Sequence, residues 1–410
     1  DEFMKFIDGG VTAAKGFKAC GGATGIRKNN RKDLAFVFSG VPADVAGTFT
    51  TNIVKAAPVI WDQKIVNERK KARLIVCNSG IANACTGKEG DKICRETAKA
   101  AGNVLGIPED AVLITSTGVI GKQIPIDKIK TGAAMLALKL DSDRKSAKEA
   151  AEAIMTTDTK RKEAAVTFKI GRKTVTLGGM CKGSGMIHPN MCTMLSFLTT
   201  DLAISAEMLQ MALSETVKDT YNMISVDGDT STNDTVLLLA NGAAENDRIT
   251  EKSEAYHLFA DALLKLNTIL AKKIAGDGEG ATALFEVKVL GTKTKADAAR
   301  LAKSVVSSNL TKAAICGHDA NWGRVLCALG YSGVNFDPDL IDLSFDSTTG
   351  RITIMKDGIP VQFDEEKATR ILSEPEVTVI CDMKMGESSA TAWGCDLTCD
   401  YVKINSDYRS

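Results

Sequence analysis

Three histidines, His188, His257 and His318, are all the imidazole this 410-residue chain has, and that scarcity narrows the chemistry open to it. His257 lies inside a helical stretch and reads as a surface residue. His318 sits in the turn Cys316-Gly317-His318-Asp319, where a hydrogen bond to Asp319 would satisfy it. There is no His-x-x-x-His, no Cys/His cluster and no Gly-x-Ser-x-Gly, so neither a zinc site nor a serine triad is expected. Gly178-Gly179-Met180-Cys181-Lys182-Gly183-Ser184 fails as a phosphate loop, because its lysine precedes the second glycine. Asp227-Gly228-Asp229 fails as a calcium loop, because the sixth position is Thr232 rather than glycine, and a capping or turn role is expected for those aspartates. No metal and no cofactor are expected.

An enzyme short of histidine can instead use a hydroxyl whose own α-amino group is the base. An α-amino group ordinarily titrates at roughly 7.7–8.0, close to working pH. Such a group must be made by cutting the chain. The best stretch for this runs Lys182-Gly183-Ser184-Gly185-Met186-Ile187-His188-Pro189-Asn190-Met191-Cys192-Thr193-Met194-Leu195. Its glycines and proline shape a constrained loop that enters the apolar run 194–198. A strained bond there would let Thr193 Oγ attack the Cys192 carbonyl, giving an ester that water opens. The same residues also read as an uncut Gly/Pro loop leading into a buried strand.

The elements that must position such a site look mixed α/β. Strands are expected over 34–38, 73–77, 111–115, 236–240, 284–290 and 377–381, and helices over 91–105, 126–140 and 206–221, the last capped by Ser205. The clearest amphipathic helix is 253–274, with Leu263, Leu266 and Leu270 on one face. Five small or polar stretches stand between elements: 78–80, 116–118, 178–185, 227–234 and 276–282. They are expected to converge on one polar pocket. Lys plus Arg and Asp plus Glu both number 51, a balance that argues against nucleic acid or an anionic membrane as partner. The eleven cysteines are odd in number and form no Cys-x-x-Cys, and Cys77, Cys316 and Cys381 stand in apolar, strand-like runs. Reduced, buried thiols in a cytoplasmic protein are expected. Residues 1–3 read as a short appendage ahead of a start at Met4, with no signal peptide and no membrane span.

From end to end the chain resembles the ornithine acetyltransferase (glutamate N-acetyltransferase) family of arginine biosynthesis. The matching stretches in the first half are Gly10-Val11-Thr12-Ala13-Ala14-Lys15-Gly16-Phe17, Thr50-Thr51-Asn52, Lys55-Ala56-Ala57-Pro58, Asn83-Ala84-Cys85-Thr86-Gly87, Ser116-Thr117-Gly118-Val119-Ile120-Gly121 and Met155-Thr156-Thr157-Asp158-Thr159. The second half adds Val226-Asp227-Gly228-Asp229-Thr230-Ser231-Thr232-Asn233-Asp234, Gly276-Asp277-Gly278-Glu279-Gly280-Ala281-Thr282, Asn321-Trp322-Gly323-Arg324 and the ending 392–410.

The resemblance implies a layered α/β fold of the self-cleaving aminopeptidase and ornithine-acetyltransferase type, with a smaller C-terminal lobe at about 285–410. It implies cleavage between Cys192 and Thr193 into an α piece, 1–192, and a β piece, 193–410, associated as α2β2. Thr193 would be the nucleophile of a ping-pong acetyl transfer from acetyl-ornithine to glutamate, and Thr117 and Gly118 the oxyanion hole. Thr156, Lys182, Thr193, Glu279, Asn405 and Ser410 would bind substrate. Some members of the family also take acetyl-CoA as donor, and no residue here sorts this chain. Three positions depart from the family pattern: Cys192 stands in place of Ala, His188 in place of a small residue, and Ile81 in place of Asn. The competing reading is an aminopeptidase or amide hydrolase of the same fold, in which water opens the acyl-threonine.

Overall fold

A computed structural model describes residues 4–188 and 194–408. Among these residues one sheet holds β1 Met4–Ile7, β2 Phe17–Gly22, β3 Leu34–Phe49, β4 Ala72–Ile81, β5 Val112–Val119, β6 Lys162–Ile170, β7 Lys173–Lys182, β8 Leu195–Thr200 and β9 Thr235–Ala240. Its order is β1-β6-β7-β8-β9-β3-β4-β5, with β2 also paired to β3. The first half of β3 pairs with β2 and β4, and the second half with β9. Its register with β4 breaks between Phe38 and Ala43, around Pro42, which has no N–H to give the ladder. The β8/β9 and β4/β5 pairs are parallel. Every residue of β8 and β9 is buried; β9 is almost wholly apolar, and in β8 the hydroxyls of Ser196, Thr199 and Thr200 meet Tyr221 OH, Val11 O and Thr176 O.

Eleven helices accompany the strands among the described residues. α1 Ala57–Asn67, α2 Gly87–Leu105 and α3 Ile126–Ala137 sit at the β4–β5 end of the sheet, and α4 Arg144–Ala153 packs on β2 and β3. α5 Ala206–Asp219 lies against β3 and α6 Glu254–Gly276. The second sheet is formed by β10 Leu284–Thr292, β11 Asp342–Ser347, β12 Gly350–Lys356, β13 Ile359–Pro360, β14 Glu376–Asp382 and β15 Ser388–Cys395, in the order β13-β12-β11-β14-β10-β15. α7 Lys295–Val306 covers β10 and β15, followed by α8 Asn309–Cys316, α9 Trp322–Gly330, α10 Glu365–Leu372 and α11 Cys399–Asp407.

The expected fold class holds, and its reason is visible in α6. Ser253 caps this helix by accepting from Tyr256 N, and Leu263, Leu266 and Leu270 are fully buried. It packs against β6 and β7 of one sheet and β15 and β10 of the other. A single apolar core therefore runs from Leu198 and Leu270 through to Phe285 and Val379, and burial marks no boundary at residue 285. Ser205 caps α5 as expected, accepting from Met208 N at 3.2 Å.

Several expectations are corrected. Residues 78–80 and 116–118, and residues 178–182, are the ends of β4, β5 and β7 rather than connecting loops. Small side chains there serve close packing: a Cβ at Gly178 would lie 2.1 Å from Gly10 O. Cys316 ends α8, half-buried, instead of standing in a strand, and Cys85, Cys327 and Cys399 are exposed. All the cysteines among the described residues are free thiols. His257 is exposed as expected, whereas His318 Nδ1 meets Ser373 Oγ at 3.3 Å rather than Asp319. Among the described residues no helix is long and apolar enough to cross a membrane.

One buried carboxyl lies behind β5. Asp62 of α1 has no solvent exposure; its Oδ1 accepts from Ile114 N at 2.7 Å, and its Oδ2 has no partner among the described residues. Burial pushes its pKa well above the usual carboxylate range, against the smaller opposing effect of the Ile114 N–H. A raised folded-state pKa means stability is fully present at low pH and is lost as pH rises from the unfolded value through the folded one. Asp62→Asn keeps the acceptor for Ile114 and removes this titration. In urea unfolding at a series of pH values, the variant's stability relative to the parent should rise by up to about 1.4 kcal/mol per pH unit above pH ~4. A gap independent of pH would contradict this.

Candidate active site

Four strand or loop ends and the C-terminal helix meet around a cavity of about 190 Å³. Thr117 and Gly118 come from the end of β5, Lys182 from the end of β7, Asp234 from the loop before β9, Glu279 from the loop after α6, and Asn405 from α11. Thr156 closes one wall. Four of the five small or polar stretches therefore line one pocket, and the fifth, 78–80, supports it from behind through the β4/β5 register that sets Gly80 beside Gly118.

That register explains why residue 118 is glycine. Its φ is +135°, and a Cβ would lie 2.2 Å from the Gly80 carbonyl carbon. The loop 227–234 is fixed by the stretch 50–56: Thr50 Oγ1 donates to Ser231 O at 2.8 Å, Asn52 Nδ2 to Thr230 O at 3.0 Å, and Ala56 N to Thr232 O at 3.0 Å. Asn233 Nδ2 then ties this loop to the β5 end by donating to Ser116 O at 2.8 Å and Ala82 O at 2.6 Å. Asp227 plays the expected turn role by accepting from Asp229 N at 3.2 Å, and it also accepts across the fold from Ile187 N at 2.8 Å and Met186 N at 2.7 Å.

Lys182 is buried, and its Nζ donates to Thr117 Oγ1 at 3.2 Å and Thr156 Oγ1 at 2.9 Å. Because Thr117 Oγ1 accepts from the lysine, its own hydroxyl proton is left to point elsewhere. Across the cavity, the buried carboxylate of Glu279 accepts from Thr157 Oγ1 at 2.8 Å and from Asn405 Nδ2, and forms no ion pair among the described residues. A Cβ at Gly185 would fall 2.0 Å from Glu279 Oε1, so a side chain there would push that carboxylate out of its present position. Asp234 is 2% exposed, and its Oδ2 has no partner among the described residues. Burial raises its pKa well above the carboxylate range, against smaller effects of Ser231, the Met194 N–H and the Lys182 charge. His188 Nδ1 meets Ser225 Oγ at 2.9 Å. Its pKa is lowered by burial and then by Lys303, with Asp227 opposing.

Of the residues singled out from sequence, Thr117, Gly118, Thr156, Lys182, Glu279 and Asn405 share this cavity. Cys192, Thr193 and Ser410 lie outside the described residues. Sequence reading missed Thr157, Asp158, Lys162, Asp277 and Asp234, all of which hold or flank the cavity residues. Thr157, Asp158, Asp234 and Asp277 fall inside matched motifs, the one signal that could have drawn attention to them; Lys162, in the charged run Lys160-Arg161-Lys162-Glu163, carries none.

The sequence profile of the ArgJ family matches residues 18–410. The "Arginine biosynthesis bifunctional protein ArgJ" of Symbiobacterium thermophilum is 52% identical over 99% of this chain and 100% of its own. The chain belongs to the ArgJ family. The ArgJ protein of Caldanaerobacter subterraneus subsp. tengcongensis is 50% identical, again over 99% and 100% of the two chains. A crystal structure of the arginine biosynthesis bifunctional protein ArgJ from Bacillus halodurans is 46% identical with a TM-score of 0.51, covering 53% of this chain and 100% of that one. As an ArgJ protein, the chain is an enzyme of arginine biosynthesis, an acyltransferase.

Gly118→Ala tests the β4–β5 contact at this ArgJ site. The added Cβ must displace the Gly80 carbonyl, so acyl transfer should fall by about 10²-fold or more, on the scale of a lost backbone donor, while circular dichroism stays native. A folded variant with parental turnover would show that this backbone turn is not required.

Proposed function

We propose that this acyltransferase carries an acetyl group from N2-acetyl-ornithine to glutamate through an acetyl ester on Thr193. The observation that carries the reading is a pair of opposite buried charges in one cavity: Lys182, held mainly by hydroxyls, and Glu279, which has no cationic partner among the described residues. Such a pair suits a substrate with both a carboxylate and an ammonium group. Lys182 meets the α-carboxylate and Glu279 the side-chain ammonium of acetyl-ornithine, with Thr156, Asn405 and Ser410 completing the pocket.

Thr193 first attacks the Cys192 carbonyl and water opens the resulting ester, giving pieces 1–192 and 193–410. Support comes from the described neighbours of the cut. Leu195 pairs with Lys182 on one side and Thr235 on the other, and the ladders β7–β8 and β3–β9, each with one strand in either piece, would hold the two pieces together. The Bacillus halodurans chain, complete at 53% of this one, matches the share of the sequence that 193–410 makes up.

In transfer, the freed α-amine of Thr193 takes the hydroxyl proton as Oγ attacks the acetyl carbonyl. The Thr117 hydroxyl and the Gly118 N–H receive the tetrahedral oxyanion. That oxyanion collapses, and ornithine leaves as the amine, taking the proton from the Thr193 ammonium. Glutamate's α-amine then attacks the acetyl ester in the same geometry and leaves as N-acetylglutamate, restoring Thr193. Acetyl-CoA would serve as a second acetyl donor through the same ester. The α and β pieces pair as α2β2, and the work is done in the cytoplasm.

Incubation with acetyl-ornithine, with and without glutamate, tests this reading. Ornithine release beyond one equivalent per site should require glutamate. Thr193→Ala should remain a single uncut polypeptide and lose transfer. Sustained ornithine release without glutamate would identify a hydrolase, and transfer by Thr193→Ala would remove the nucleophile.

A further inference from the structure

Two buried lysines approach one carboxylate beneath the cavity, and they share it unequally. Lys162 is 1% exposed, and its Nζ donates to Asp158 Oδ2 at 2.6 Å, Asp277 Oδ2 at 2.6 Å and Lys160 O at 3.2 Å, which fills all three of its donors. Asp158 Oδ2 also accepts from Gly183 N at 2.9 Å, and its Oδ1 from Thr156 N at 3.2 Å. Lys182 Nζ stands 4.0 Å from Asp158 Oδ1, beyond hydrogen-bond reach. Its two bonds go to the hydroxyls of Thr117 and Thr156, and its third N–H has no acceptor among the described residues.

The electrostatics follow this division. Burial raises the pKa of Asp158, but the Lys182 and Lys162 charges and its hydrogen bonds outweigh burial and bring it to about 2, so it is ionised at working pH. Lys162 keeps its proton, since Asp158 and Asp277 outweigh its own burial. Lys182 is lowered, first by burial and further by the Lys162 charge, with Asp158, Cys77 and Glu279 opposing. Asp234 faces it from the β9 side.

We propose that Lys162 is a positioning residue for the acetyl-transfer site: by clamping Asp158 to Asp277 it denies Lys182 a close carboxylate, leaving one lysine N–H free for the carboxylate of the amino-acid substrate. The clamp acts at a second point. Asp277 also accepts from Thr159 N at 2.9 Å and Lys160 N at 3.2 Å, and its carbonyl accepts from Ser184 Oγ at 2.9 Å, so Lys162 fixes the loop that presents Glu279 two residues later. The substrate part of this inference rests on the reading of Lys182 given above; the positioning part does not.

The test uses Lys162→Met and, because a lone buried carboxylate can unfold the chain, the charge-balanced pair Lys162→Met with Asp277→Asn. The first readout is the pH dependence of Lys182 acylation by acetic anhydride, followed by peptide mass spectrometry on the folded protein. Without Lys162, Asp158 turns to Lys182, and the labelling midpoint of Lys182 should move up by about one pH unit or more. The second readout is kinetic: KM for acetyl-ornithine should rise about tenfold or more, with kcat changing less. A raised midpoint with unchanged KM in the charge-balanced double variant supports the clamp and tells against carboxylate binding by Lys182, whereas a rise confined to Lys162→Met is the effect of the lost Lys162 charge alone and overturns it. An unchanged midpoint in the folded double variant overturns the proposal, whatever the kinetics.

Discussion

The site depends on one constraint: the carboxylate of Asp158 is enclosed between two lysine ammonium groups, with only one of them in contact. Burying four charges costs several kcal/mol per ion unless geometry and hydrogen bonds compensate. Here Asp158 and Asp277 gather the ammonium of Lys162 and the N–H groups of Thr156, Thr159, Lys160 and Gly183. These contacts draw together residues 156–162, the end of β7 and the loop after α6, the last far from the other two in sequence. Lys182 is the charge left only partly answered, and it lines the cavity.

The sheet supplies the rest of the geometry. Parallel β4 and β5 bring Gly80 against Gly118, and the positive φ that glycine allows there turns the strand end into the cavity wall. β8 lies between β7 and β9, so Leu195 enters the sheet beside Lys182. A break before that entry would sever no ladder hydrogen bond of the described sheet. None of α11's residues is fully buried; it joins through Tyr401, which packs partly on the core and reaches Asp227 at 2.8 Å, and through Asn405, which reaches Glu279.

Much of this was legible in the sequence, and the limits have physical causes. The α6 pattern and the Ser205 cap report local energetics, which sequence carries directly. Convergence of the polar stretches was legible because small and polar residues cluster where backbone approaches a ligand. That several of those stretches are strand ends was not, since glycines such as Gly178 satisfy tertiary contacts that spacing does not encode. Lys162 was invisible for the same reason. A lysine in a charged run reads as solvated until Asp158 and Asp277 are brought over it. The family resemblance supplied Thr117, Gly118, Thr156, Lys182, Glu279 and Asn405 together, and their shared cavity is a relation among distant residues that no single motif contains.

The central claim is that the acetyl group rests on Thr193, newly at the start of a chain, between donor and acceptor. The most direct measurement is to quench the enzyme with acetyl-ornithine in the absence of glutamate and locate the adduct by peptide mapping. The expected result is one acetyl group on residue 193 of a fragment that begins there, lost when glutamate is added. An acetyl group found on any other residue, or on an uncut polypeptide, would contradict it.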